Sequence, residues 1–184
     1  MNSKCVGLFV LMAVISVTSV CYAADLCYDY VEMRKYDDAI KECTKEINGE
    51  IKVDADEISY TNRGIAYAGK GQYDHAIADY DKAIELNPRY ERAYVNRGDS
   101  YYARRQYDHA IADYKDAIDL NPMNSYTDYN MACLYSVKNN PEEACKWLRD
   151  SFENGFDNWE RIKKDKDFDN IRNSSCYKKI MEGK

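Results

Sequence analysis

Apolar and small residues recur three and four positions apart through most of the chain, and short polar turns interrupt them, which is the spacing of paired amphipathic helices. The pattern also copies itself. Gln72-Tyr73-Asp74-His75-Ala76-Ile77-Ala78-Asp79-Tyr80 returns residue for residue at Gln106 to Tyr114, 34 positions on. Around that block Tyr60, Asn62-Arg63-Gly64 and Tyr67 recur as Tyr94, Asn96-Arg97-Gly98 and Tyr101. Leu86-Asn87-Pro88 recurs as Leu120-Asn121-Pro122. A period of this length with helical spacing predicts stacked helix-turn-helix units. Small residues on each first helix (Gly64, Gly98, Ala132) are expected to face small residues on the second (Ala76, Ala110, Ala144), with Tyr80 and Tyr114 filling the gap one turn later. The Asn-Pro pairs end each second helix, because the residue before proline is pushed out of helical geometry. A lone helical pair cannot bury its apolar face, so stacked pairs must build the core. The predicted fold is all-α: a right-handed α-solenoid of helix-turn-helix repeats closed by a C-terminal capping helix.

The units follow in order. Residues 1–23 read as a signal peptide: Lys4, then the uncharged, largely apolar run Val6 to Val20, then small residues for cleavage before Ala24. The run is short for a bilayer-spanning helix of roughly 20 residues; an uncleaved N-terminal anchor is the alternative. Residues 24–56 form a degenerate first repeat, in which Tyr36 and Ala39-Ile40 match Tyr73 and Ala76-Ile77 at an offset of 37, so three extra residues fall around Gly49 to Asp56. The clear repeats are 57–90 and 91–124. A fourth, 125–158, places Pro141 in the first turn of its second helix, where proline fits. After Gly155 the period ends, and 159–184 reads as a helical cap with a polar outer face.

Charge narrows the partners. The net charge is −6, and Lys4 is the only charge before Asp25, so the chain from Ala24 onward carries −7. A phosphate-backbone binder needs a dense basic stripe, and none is present, so nucleic acid is not an expected partner. The 18 tyrosines fall mainly on repeat positions, where a large amphipathic ring packs between helices. The mixed-sign run from Trp159 to Asp169 reads as a solvated helix face.

Tyr60, Gly64, Tyr67, Ala76, Tyr80, Ala83 and Pro88, with their partners 34 residues on, resemble the signature of tetratricopeptide repeat proteins. The tail 154–181 resembles the closing segment of many bacterial arrays of this family. The resemblance implies a protein-interaction scaffold whose first helices line a concave groove for an extended peptide or a partner helix, and not an enzyme. Carried over by position, the groove is lined by Ile58, Thr61, Asn62, Ile65 and Ala68, then Arg92, Val95, Asn96, Asp99 and Tyr102, then Tyr126, Tyr129, Asn130 and Cys133. Asn62, Asn96 and Asn130 form a ladder; a carboxamide can donate to and accept from a peptide backbone, or it can bridge neighbouring helices. The two-carboxylate clamp of chaperone-binding relatives is missing, since Ala24, Tyr28 and Asn96 stand where the clamp needs Lys, Asn and a base. A neutral, tyrosine-bearing groove implies binding that depends only modestly on salt.

Five cysteines follow residue 24, an odd number for an oxidising compartment. Cys27 takes the small-residue slot of the first helix and Cys43 the Tyr80 slot of the second, so a Cys27–Cys43 disulfide would staple the weakest repeat. Cys145 reaches Cys176 if the cap lies against the last repeat, leaving Cys133 in the groove. The alternative is five small buried hydrophobes. His75 and His109 share one repeat position, too far apart for shared metal ligation, and read as surface residues. No metal, cofactor or catalytic constellation is expected. The sequence therefore predicts an exported, periplasmic or secreted adaptor that binds a protein or peptide; the alternative is a structural component that self-associates or assembles at a membrane through its stacking faces.

Overall fold

The computed structural model describes residues 26–51 and 56–182. The expected signal peptide, and part of the long connection after the first repeat, lie outside the described residues. Among the described residues there are ten α-helices: α1 Leu26–Glu32, α2 Tyr36–Ile47, α3 Asp56–Gly69, α4 Tyr73–Leu86, α5 Glu91–Ala103, α6 Tyr107–Leu120, α7 Ser125–Val137, α8 Pro141–Glu153, α9 Trp159–Lys164 and α10 Ser175–Glu182. A single 3-10 turn, Lys166–Phe168, separates the last two. Consecutive helices pack in antiparallel pairs, and the pairs stack into a right-handed α-solenoid. No helix among the described residues is long and apolar enough to cross a membrane.

Local chemistry sets the helix ends. Pro141 opens α8, and the Asn140 side chain accepts from the Glu143 N–H at 3.2 Å. Asn87 and Asn121, each followed by proline, leave helical geometry and end α4 and α6. The turn inside each pair closes on one left-handed residue: Arg34, Gly71, Arg105 and Asn139, at φ 55°, 73°, 60° and 55°. Only glycine adopts that conformation freely. The same position turns in all four pairs, so the first pair is built like the others although its sequence has drifted.

One pair of facing slots runs through the array. Gly64 faces the Tyr80 ring, and Gly98 faces the Tyr114 ring; a Cβ on Gly98 would stand 2.6 Å from Tyr114 Cε1. The tyrosine thus sits directly on the glycine, so these two slots adjoin across the pair, while Ala76 and Ala110 are fully buried beside them. Where the first slot carries a Cβ, the second changes. The last repeat has Ala132 with Leu148, and the first has Cys27 with Cys43, whose sulfurs stand 2.00 Å apart. Gly98→Ala is expected to destabilise by about 1–2 kcal/mol, because overpacking a buried ring outweighs the roughly 1 kcal/mol that alanine gains in helix propensity. Urea unfolding would measure it. A neutral or stabilising result would mean the ring can yield.

The cap departs from the single helix expected. Asp165 leaves helical geometry, and its side chain accepts from the Asp167 N–H at 3.0 Å, nucleating the 3-10 turn. Arg172 then donates to the Lys163 carbonyl at 2.7 Å and the Asp165 carbonyl at 2.6 Å, which fixes the break. Phe156, Ile162, Phe168, Ile171 and Tyr177 cover the end of the array, packing with Tyr129, Ala132, Cys145 and Leu148. The run from Trp159 to Asp169 is therefore only partly a solvated face.

Candidate functional site: the concave groove

The first helices α3, α5 and α7 present equivalent positions to one concave side. Ile65, Asp99 and Cys133 occupy the same slot one repeat apart, and so do Asn62, Asn96 and Asn130. Two compartments form along this side and meet at Asp99. The N-terminal one, about 310 Å³, is bounded by Ile65, Ala68, Tyr73, Asn96 and Ala103, with Tyr36 and Tyr80 behind. The C-terminal one, about 210 Å³, lies between α5, α7 and the cap and is bounded by Asp99, Tyr102, Asn130 and Cys133 on one side and by Arg161, Asp165 and Asp167 on the other.

Several residues assigned to the groove from sequence are covered. Thr61 and Asn62 are buried between helices, at 0% and 2% exposure. Tyr129 does line the C-terminal compartment, but at 1% exposure it shows no open ring face: Phe156 stacks on one side at 4.5 Å, Phe168 meets its edge and Arg161 lies over it. The reason is common to all three. A curved stack covers part of each first helix with the next unit, so helical phase alone overestimates the open face. The asparagine ladder is likewise committed to the protein: Asn96 Nδ2 donates to the Arg92 carbonyl at 2.6 Å, and Asn130 Nδ2 donates to Asp99 at 2.9 Å. Ile65, Arg92, Asn96, Tyr102 and Asn130 are half-buried, and Asp99 and Tyr126 are exposed. Tyr126 meets Phe156 edge-on at 5.3 Å and is not part of either compartment's wall. Arg92 lies over the Tyr28 ring at 5.9 Å, closing contact with the first repeat.

The C-terminal compartment is not neutral, contrary to the sequence reading. The cap brings Asp165 and Asp167 beside Asp99, so three carboxylates face one guanidinium, that of Arg161. Each carboxylate takes a phenol hydroxyl: Tyr114 donates to Asp99 at 2.7 Å, Tyr129 to Asp165, and Tyr102 to Asp167. Crowding by the groove walls pushes the Asp99 carboxyl up to about 6, opposed by the Tyr114 hydroxyl and the Arg161 charge. Its surface stays open to water, which limits that effect. Burial also raises Asp167, and the Tyr102 hydrogen bond opposes it. Burial holds the Cys133 thiol well above its usual range, so it stays protonated and is a poor nucleophile at neutral pH. The sulfur and one oxygen each of Asp165 and Asp167 lie within 4.8 Å of one another, a spacing compatible with a cation. Sequence reading missed Arg161, Asp165 and Asp167. The available signal was Asp165-Lys166-Asp167, a pair of acids flanking a break in the cap.

Elsewhere, His75 and His109 are exposed and stack on Tyr67 and Tyr101 at 5.1 and 5.0 Å. Cys145 and Cys176 stand at disulfide distance with Cα atoms 6.1 Å apart, and Cys133 is free and buried.

The family profile described as tetratricopeptide repeat matches residues 58–90 and 91–124. Residues 58–124 are thus two tetratricopeptide repeats in succession. No curated protein matches it. Among solved structures, MamA is similar with 24% identity and a TM-score of 0.65, over 76% of this chain and 80% of that one. The Arabidopsis OM64 TPR domain aligns at 22% identity and a TM-score of 0.54, over 60% and 88%. These two likenesses establish the fold alone. The first TPR of Spaghetti (RPAP3) bound to HSP90 peptide SRMEEVD aligns at 25% identity and a TM-score of 0.53, over 74% and 92%. The architecture is that of a stacked helical-repeat array.

Proposed function

We propose that the protein is an exported, non-enzymatic adaptor that holds an extended peptide, or a peptide segment of a larger partner, along its concave face. The observation that carries this reading is the groove itself: two compartments on one face that share Asp99 as a wall, lined by half-buried apolar, aromatic and carboxamide side chains. A domain of the same fold with a peptide bound, that of RPAP3, supports it. The bound sequence there ends in acids; the groove here lacks the matching clamp and is acidic at its C-terminal end, so its peptide differs in kind. Export is supported by the leader-like pattern of residues 1–23 and by two pairs of cysteines at disulfide distance.

Ala103 is exposed and lines the N-terminal compartment, whereas His75 lies on the outer surface of α4. A photo-crosslinking residue at position 103 is expected to capture a discrete partner in the native host, and one at position 75 is expected to capture none. Equal adducts at both positions, or none at 103, would sink the groove reading. Self-adducts alone would favour assembly through stacking faces.

A further inference from the structure

The geometry points to the C-terminal compartment as a receptor for one cationic side chain, an arginine or lysine carried by the bound peptide, with Arg161 holding that place while the groove is empty. This rests on the groove binding a peptide and adds what that peptide must carry.

Charge complementarity comes first. Asp99, Asp165 and Asp167 face a cavity of about 210 Å³ in which Arg161 is the one cation among the described residues. Both donors to Asp99, Tyr114 and Asn130, fall on Oδ1, which leaves Oδ2 for a guest. The phenols arrive as donors from the protein side, so each carboxylate is held in place while acceptor lone pairs remain. Charge-assisted hydrogen bonds from a guanidinium or ammonium match such a set; an anion would meet it with repulsion.

The second observation does not depend on the carboxylates. The Arg161 guanidinium lies 4.8 Å over the Tyr129 ring, a cation–π contact. Among the described residues Arg161 is in no ion pair, although its charge is felt at Asp99 and Cys133. The residue is exposed and sits on a six-residue helix, so its side chain can swing out without disturbing the core. It thus shows a guanidinium already attracted to this wall and held there weakly enough to leave. A peptide arginine entering between the carboxylates would take over both the aromatic face and the acceptors that Arg161 leaves unused.

Three acetylated and amidated nonapeptides test this, identical except for a central arginine, leucine or glutamate flanked by tyrosine and serine. Fluorescence anisotropy with the full, oxidised chain measures binding. The arginine peptide is expected to bind about tenfold more tightly than the leucine peptide, the glutamate peptide more weakly than either, and the arginine advantage should shrink as salt rises. Asp167→Asn should reduce the advantage to about threefold, and an unchanged thermal melt by circular dichroism controls for folding. Arg161→Ala should widen the arginine peptide's advantage over the leucine peptide about threefold, because it removes the resident competitor. Equal binding of the arginine and leucine peptides would overturn the cation pocket but leave the groove standing. Preference for glutamate, lost in Arg161→Ala, would reverse the sign and overturn it as well. If none of the three peptides binds, the groove reading itself fails and the pocket goes with it.

Discussion

Arg97→Ala is expected to lower stability by about 3–5 kcal/mol, and the double variant Arg97→Met with Asp113→Leu to recover most of that loss. Arg97 donates through Nε and Nη2 to both oxygens of Asp113, at 2.9 and 2.6 Å, and through Nη1 to Asp81 of the preceding repeat at 2.5 Å. The Asp113 side chain is only 5% exposed. Burial pushes its carboxyl up, and only the Arg97 fork opposes that. Removing the arginine strands a carboxylate in the core, where an uncompensated charge is expensive. Arg63 makes the same two-pronged pair with Asp79, at 2.8 and 2.7 Å, so the interaction is a repeated device. In the last repeat the same two slots hold Met131 and Trp147, which pack against each other's surroundings in one core cluster. The fold therefore already accepts an apolar pair there, which is why the double variant should be tolerated. Urea denaturation of the two variants decides it: a single variant that loses less than about 1 kcal/mol, or a double variant no better than the single, would show that the pair is not what the core depends on. Arg97→Lys should fall between, since an ammonium keeps the charge but cannot bridge both oxygens.

This pair shows what repetition makes legible and what it leaves dark. Arg63 and Asp79 recur as Arg97 and Asp113 at the same 16-residue separation, inside the very blocks that identify the repeat. Their recurrence was visible; their contact was not, because an arginine in the middle of a helix is as easily solvated. The glycine and tyrosine slots were easier, since a missing side chain opposite a large one leaves few arrangements, and the cysteine replacements in the first repeat, Cys27 and Cys43, fell on the same slots. The groove was harder for a different reason. Helical phase gives the direction of a side chain but not the curvature of the stack, so Thr61 and Asn62 were assigned to a surface that neighbouring elements cover, and the Tyr129 ring to an open face that the cap occupies. The cap was hardest. Past Gly155 there is no second copy against which to compare a residue, and the break at Asp165, which turns two carboxylates into the groove, depends on local capping and on Arg172 gripping two carbonyls.

Loss of the Cys145–Cys176 bridge is expected to destabilise the C-terminal end by about 3–4 kcal/mol, because the loop it closes spans 32 residues counting both ends. The bridge ties α8 to α10 across the whole of the cap, and the cap is what covers the exposed stacking face of the last pair. In a linear array each unit is stabilised mainly by its neighbours, so the damage should stay local. Hydrogen exchange on Cys145→Ala with Cys176→Ala should show faster exchange in α9, the 3-10 turn and α10, with smaller changes in α7 and α8 and little in α3 to α6. The N-terminal Cys27–Cys43 bridge closes only 17 residues counting both ends and should loosen α1 and α2 alone when removed, by about 3 kcal/mol. Asp165 and Asp167 reach the groove only because the 3-10 turn is held against α7, where Ser136 Oγ donates to the Asp167 carbonyl at 2.5 Å. Opening the C-terminal bridge should therefore also erase any preference for a cationic peptide while the N-terminal compartment keeps its shape. Uniform acceleration along the entire chain would instead mean that the array unfolds as one unit, and that the bridge stabilises the whole molecule rather than its binding end.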